Sequence, residues 1–253
     1  TATLSSQPTP AMLATAPAAL VFVAIFLVGG RLHPFRRFVS DRRSIVSFSA
    51  GMSIAYVFLR MMPELHGARQ LLVESASARI PMPFEGIGIY FLALVGFLCF
   101  YGLDRLAPSA SGASGAPDAP GMVNGHVAGL SAYVALMSYL LVRDAGDSVA
   151  ATALYTLAFG GHFLALEHSL REGYGEAYQR EGRWIMAASC VIGWLIGVLF
   201  VLDSFPLALV TAFISGGVIM TNTLMELSEG KDGRLLPFVL GSLLYGLTLV
   251  PLA

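Results

Sequence analysis

An all-α bundle of eight membrane-spanning helices is the fold class this sequence predicts, and three observations predict it. Apolar stretches about as long as a bilayer is thick recur eight times, over residues 17–32, 45–63, 85–103, 128–142, 149–170, 184–202, 205–227 and 235–252, against the ~20 residues a spanning helix needs. Composition is that of a lipid-embedded chain. Of 253 residues, 56% are hydrophobic and 12% charged, and the mean hydropathy is +0.71, whereas a soluble domain carries about 25% charged residues. Basic residues also alternate between the connections. Connections 31–44, 104–127, 171–183 and 228–234 hold eleven Lys and Arg, and the others only Arg69, Arg79 and Arg143. By the positive-inside rule the first set faces the cytoplasm and both termini lie outside. The chain is therefore expected to be a single multi-pass domain of a cell membrane over 1–253, with the lipid bilayer as its partner. A net charge of −1 gives no footprint for nucleic acid.

Span 1 (17–32) follows sixteen residues without Lys or Arg, unlike the charged start of a secretory signal, and is expected to be a retained helix. Span 2 (45–63) ends in Arg60-Met61-Met62-Pro63-Glu64, where Pro63 removes a backbone donor and is expected to stop the helix. Arg60 is read either as a snorkelling residue paired with Glu64 four positions on, or as a positive gate that repels cations. Span 3 (85–103) and span 6 (184–202) hold Cys99 and Cys190, where a free thiol packs as a small hydrophobe. The segment 107–127, rich in Gly, Pro, Ser and Ala, is expected to be a flexible cytoplasmic connector between spans 3 and 4.

Span 5 (149–170) carries His162 behind Gly160-Gly161, about fourteen residues in and close to mid-depth. An ionisable group there costs roughly 2.5–3.5 kcal/mol, so it needs a partner or a task. Imidazole serves as a metal ligand, as a proton relay or as one half of an interhelical hydrogen bond. Glu167 and His168 follow on the same span but point about 140° and 240° away from His162, so the three cannot ligate one ion from a regular helix. Together with Arg171, Glu172, Glu176, Arg180, Glu181 and Arg183 they read as a solvated interfacial helix with i,i+4 charge pairs.

Span 6 includes the small-residue stripe Gly193-Trp194-Leu195-Ile196-Gly197, a surface on which a second copy could pack to make a homodimer. Span 7 (205–227) carries Asn222 and Glu226, with Glu229 just beyond, one face of oxygen donors suited either to a cation path or to helix termination. Laid over span 2 at an offset of 165 residues, it pairs Phe48 with Phe213, Gly51 with Gly216, Ile54 with Ile219, Leu59 with Leu224 and Glu64 with Glu229. Spans 2 and 7 cross in opposite directions, so the repeat is inverted, the usual build of secondary transporters. Recurrent small residues and interfacial acids in any bundle are the alternative origin. No GxxxxGK[ST], CxxC, HExxH or GxSxG motif occurs, and no enzyme is expected.

Eight spans, outside termini, a cytoplasmic 3–4 loop and a second span reading Ser47-Phe48-Ser49-Ala50-Gly51 through Leu59-Arg60-Met61-Met62-Pro63-Glu64-Leu65 resemble the ZIP metal-ion transporter family. Span 7, from Ser215-Gly216-Gly217 to Glu226-Leu227-Ser228-Glu229, is similar to that family's late helix. The resemblance implies a 3+2+3 arrangement of spans and a divalent, zinc-like ion as substrate. On this chain it implies a metal path of His162, Glu167, His168, Asn222 and Glu226, with Arg60 and Glu64 as gate or ion pair. The family's fourth helix bears a His-Asn-x-Pro-acid-Gly motif. Anchored on Gly146, that motif falls on Met137, Ser138, Leu140 and Leu141, which are not strong ligands. A depleted metal transporter, a ZIP-fold protein with a structural or sensing role, and a transporter of another solute are the three functions this pattern allows.

Overall fold

Among the described residues, each of the eight apolar stretches falls mostly on a helix. The structure, a computed structural model, describes residues 2–4, 10–29, 42–75, 87–105, 120–144, 148–228 and 234–250. In chain order these form β1 (Ala2–Leu4), α1 (Pro10–Leu13), α2 (Ala16–Val28), α3 (Arg42–Tyr56), α4 (Met62–Ser75), α5 (Gly88–Asp104), α6 (Pro120–Asp144), α7 (Val149–Ala177), α8 (Arg183–Leu199), β2 (Phe200–Leu202), α9 (Ser204–Ser228) and α10 (Leu235–Leu249). Wide π turns over Val57–Met61 and Tyr178–Gly182 join α3 to α4 and α7 to α8. The fold is all-α, and four helical runs are long and apolar enough to cross a membrane: Ser44–Gly67, Gly125–Arg143, Val149–Leu199 and Ser204–Leu224. Helices α2, α5 and α10 are equally apolar but shorter, at 13, 17 and 15 residues.

The boundaries depart from expectation in four places. Pro63 does not end span 2. The helix runs on through α4, and the π turn just before the proline is where the backbone ladder absorbs its missing donor. Residues 120–127, expected in the flexible connector, are the first two turns of α6, with Pro120 at the one helical position where a missing N–H costs nothing. The rest of that connector, 107–119, lies outside the described residues, as do Arg79, Gly146, Glu229 and Lys231. Span 6 stops as a helix at Leu199, and Phe200–Leu202 pairs antiparallel with Ala2–Leu4. The small-residue stripe of span 6 turns inward, because Gly193 lies against the backbone of Ala135 and Gly197 against Val142.

Contacts between side chains give each helix a direction. Helix α7 runs against α6, since His162 meets Tyr133 and Tyr155 meets Met137. Helix α8 runs with α6, since Gly193 meets Ala135 and Gly197 meets Val142. The chain therefore reverses between α7 and α8, and it does so around Gly175 (φ 54°, ψ −124°), a conformation open to glycine alone. Helix α9 runs against α3, since Ser53 meets Asn222 and Met61 meets Ser215. Helix α10 runs with α3, and α9 with α5.

Two parallel crossings are built alike. A Cβ added at Gly51 would overlap the Phe238 carbonyl and crowd the Ser242 nitrogen, while one at Gly241 would overlap the Phe48 carbonyl. In the second crossing, a Cβ at Gly216 would overlap the Ala93 carbonyl and crowd the Phe97 nitrogen, while one at Gly96 would overlap the Phe213 carbonyl. Adding 165 to the α3 positions gives those of α9, and adding 145 to the α5 positions gives those of α10. Glycine permits this approach because nothing else lets two helix backbones touch.

Helix α7 sits at the centre, held by α2, α3, α6 and α9. Phe22 and Phe26 of α2 pack on Phe163, and Tyr56 of α3 packs on Tyr155 and Phe159. Ser148 starts the helix by accepting the Ala151 N–H at 3.0 Å from an extended backbone. The outer faces of α5, α8 and α10 are apolar and exposed, as at Phe91, Leu98, Ile192, Leu195, Leu243 and Leu247.

Candidate functional site

The polar centre of the bundle is assembled from one side chain on each of four helices. His162, one turn beyond Phe159 on α7, is fully buried and uses both ring nitrogens. Its Nε2 lies 2.9 Å from the Tyr133 hydroxyl of α6, and its Nδ1 lies 3.2 Å from Asn222 Oδ1 of α9. Asn222 Oδ1 also faces Ser53 Oγ of α3 at 3.4 Å, although the Ser53 hydroxyl donates more closely to the Ser49 carbonyl at 2.7 Å. Gly161 makes the junction possible, because a Cβ there would lie 2.8 Å from the Ser49 side chain and push α3 away.

The pattern assigns the tautomer. Asn222 Nδ2 donates to the Val218 carbonyl at 2.9 Å, which leaves Oδ1, an acceptor, facing the imidazole. His162 Nδ1 must then carry the proton and donate it, and Nε2 must present its lone pair to the Tyr133 O–H. Thr221, adjacent on α9, donates its hydroxyl proton to the Gly217 carbonyl at 2.9 Å. The result is a neutral cluster in which both imidazole nitrogens and the Asn222 amide have protein partners. A buried polar group left without such partners would cost on the order of 1–3 kcal/mol.

The residues expected along a metal path are distributed as follows. The structure joins His162 to Asn222. Helix α7 keeps regular geometry through Gly160-Gly161 and departs from it only at Gly175, so Glu167 and His168 stay on other faces. Glu167 is buried, not solvated as expected, and its Oε2 lies 3.0 Å from Arg171 Nη2, beside Gly29 at the C-terminal end of α2. His168 Nε2 lies 3.2 Å from Glu172 Oε1. Glu226 is on α9 one turn beyond Asn222, and its side chain lies outside the described residues. Arg60, on the first π turn, places Nε 2.6 Å from Glu64 Oε1, with both side chains about one-third exposed (36% and 33%). Among the described residues no group of three or more His, Cys, Asp or Glu could hold a metal ion.

Sequence reading missed Tyr133, Ser53 and Thr221. On α6 the family's ligand motif falls on Met137, Ser138, Leu140 and Leu141, all of which are buried, whereas the chemistry sits one turn earlier. The available signal was the tyrosine itself, since a phenol inside an apolar span needs a partner for its hydroxyl. Ser53 and Thr221 carried none, because either can satisfy its hydroxyl on the carbonyl one turn back.

No protein-family model matches the chain, and no curated protein is similar to it in sequence.

Proposed function

We propose that this chain is a membrane transport protein of ZIP-like plan, with eight spans in a 3+2+3 arrangement, both termini outside, and a substrate path that passes His162. The observation that carries this reading is the pair of equivalent glycine crossings, Gly51 with Gly241 and Gly216 with Gly96. Equivalent contacts between antiparallel halves are what an inverted repeat produces, and such repeats support alternating access around a central site. Helices α6 and α7, outside the repeats, bring Tyr133 and His162 to that centre. The exposed apolar faces of α5, α8 and α10 suit a lipid partner, and the short α2, α5 and α10 suit a locally thin bilayer.

The substrate is a divalent, zinc-like cation, for which His162 is the nitrogen donor, with Asn222 and the α9 position of Glu226 on the inward path. Zinc flux into proteoliposomes, run beside His162→Ala protein and empty liposomes under the same gradient, tests this. Flux that needs His162 supports it, and flux equal to empty liposomes removes it.

One observation favours a second reading, a ZIP-fold protein that does not move metal. Both His162 nitrogens and the Asn222 amide are already committed to protein partners. In that case the cluster serves as interhelical glue for α3, α6, α7 and α9.

A further inference from the structure

Helix α3 passes into α4 through two backbone defects in succession. The Met62 N–H closes on the Val57 carbonyl, five residues back, and Pro63 then has no N–H to give. We propose that this junction is a hinge, on which α4 swings as a lever at the end of the bundle that the positive-inside reading places outside, and that the Arg60–Glu64 pair is its latch.

Three features support this. The two sides of the junction belong to different packed clusters. Met52, Tyr56, Val57 and Met61 lie in the main core, whereas Leu65 packs in a separate small cluster with Ile89 of α5 and with Ala208 and Ala212 of α9. Two alanines make a shallow seat, which Leu65 can leave without opening the main core. Beyond it His66 and Gly67 are exposed, and His66 Nδ1 meets the Tyr90 hydroxyl of α5 at the surface, at 3.2 Å. The latch spans the break. Arg60 stands on the π turn and Glu64 on α4, so their 2.6 Å contact ties one side of Pro63 to the other, and at about one-third exposure it is weak enough to open. The break is also absent from the equivalent helix. Adding 165 carries Val57–Met61 onto positions 222–226 of α9 and Pro63 onto Ser228, and α9 is helical through all of them. Proline and π turns are where helices bend, and the repeat carries them at one end of the bundle alone.

Opening of the outer mouth by this swing rests on the transport reading, whereas the hinge is tested by motion instead of flux, so the two can fail separately. The probe is the distance between two nitroxide labels, measured by pulsed electron resonance on full-length protein in lipid nanodiscs. One label goes on Gly67→Cys of α4, where nothing lies within 4 Å of an added Cβ, and the other on Val149→Cys at the exposed start of α7. Cys99→Ser removes the exposed native thiol, and Cys190 is buried. Phe205→Cys with Val149→Cys, a pair that does not cross the hinge, is the control. Glu64→Gln should raise the population at a second distance about two- to fivefold, the worth of an exposed ion pair. Adding Pro63→Ala, which restores the missing N–H, should return it to the wild-type level, and the control pair should not change. A distribution in Glu64→Gln equal to wild type overturns the proposal, as does the same change in the control pair or a second population that Pro63→Ala leaves in place. Should a variant not fold, the wild-type pair compared at about 0.1 and 1 M NaCl decides, since salt screens the latch. The second distance should gain at high salt, and an unchanged distribution overturns the hinge. Absent zinc flux alongside this motion would remove the transport reading and leave the hinge standing.

Discussion

Gly51 on α3 and Gly216 on α9, 165 positions apart, occupy equivalent places: a Cβ on either would overlap a backbone carbonyl of the parallel helix beside it, Phe238 for the first and Ala93 for the second. Backbone cannot step aside as a side-chain tip can, so the helices must separate. Gly51→Ala and Gly216→Ala are each expected to lower stability by about 2–3 kcal/mol, read from unfolding in detergent. Gly67→Ala, on α4 with nothing within 4 Å of its Cβ, should be neutral or up to ~1 kcal/mol stabilising from helix propensity. Equal effects at all three positions would contradict the close crossings.

Asn222→Ala removes the acceptor for His162 Nδ1–H and leaves a buried donor unpaired. A loss of ~1–3 kcal/mol is expected. The ¹⁵N signals of His162 should also show a mixture of tautomers, because nothing then selects the Nδ1 proton. A single unchanged tautomer would show that Asn222 does not set it.

The Glu167–Arg171 pair and the Arg180–Glu181 pair are separated by exposure. Side chains of Glu167 and Arg171 are 3% and 17% accessible, and those of Arg180 and Glu181 79% and 69%. Arg171→Ala removes the cation beside a buried carboxylate and should cost about 2–4 kcal/mol, whereas Arg180→Ala should cost at most ~1 kcal/mol. Pairing Arg171→Ala with Glu167→Gln should recover part of the loss, since the buried charge goes with it. Thermal unfolding of the three variants checks the order.

Gly175 has open space around it, so its constraint is conformational alone. Gly175→Ala is expected to cost ~1–3 kcal/mol, and Gly175→Asn should not rescue it, since ψ −124° lies far from the left-handed helical region that asparagine tolerates. An alanine variant as stable as wild type would mean that the reversal between α7 and α8 sits elsewhere.

Cys99 is exposed on α5 and Cys190 is buried on α8. A small maleimide should label one thiol per chain in detergent and the second only after denaturation, counted by mass spectrometry. Both thiols reacting at the same rate would contradict the packing of α8 on α6.

How far the site could be read from the chain varied with the chemistry. His162 was legible because an imidazole inside an apolar span must be satisfied or used. Asn222 was legible for the same reason. Tyr133 was not, since a tyrosine in a span fits packing as well as hydrogen bonding, and a ligand motif sought at Met137 through Leu141 drew attention one turn away. Glu167 was read as solvated because Glu172, Glu176 and Glu181 follow it, yet it precedes Gly175 and lies under Gly29, on the inner side of the helix. Pro63 was read as a stop because proline removes a donor, and only the preceding π turn, a property of the whole α3–α4 run, lets the helix pass.

By itself the sequence determined that the chain is a set of apolar helices, where each sits to within a few residues, and which polar groups are too costly to be idle. These follow from local quantities: run length, hydropathy and the price of an ionisable group in lipid. Tertiary structure alone decided which helices touch, that Gly51 and Gly216 make the same contact, and that His162 spends one nitrogen on Asn222, 60 residues away, and the other on Tyr133, 29 residues away. A hydrogen bond selects its tautomer and partner by geometry across helices, and no spacing within one helix encodes that geometry.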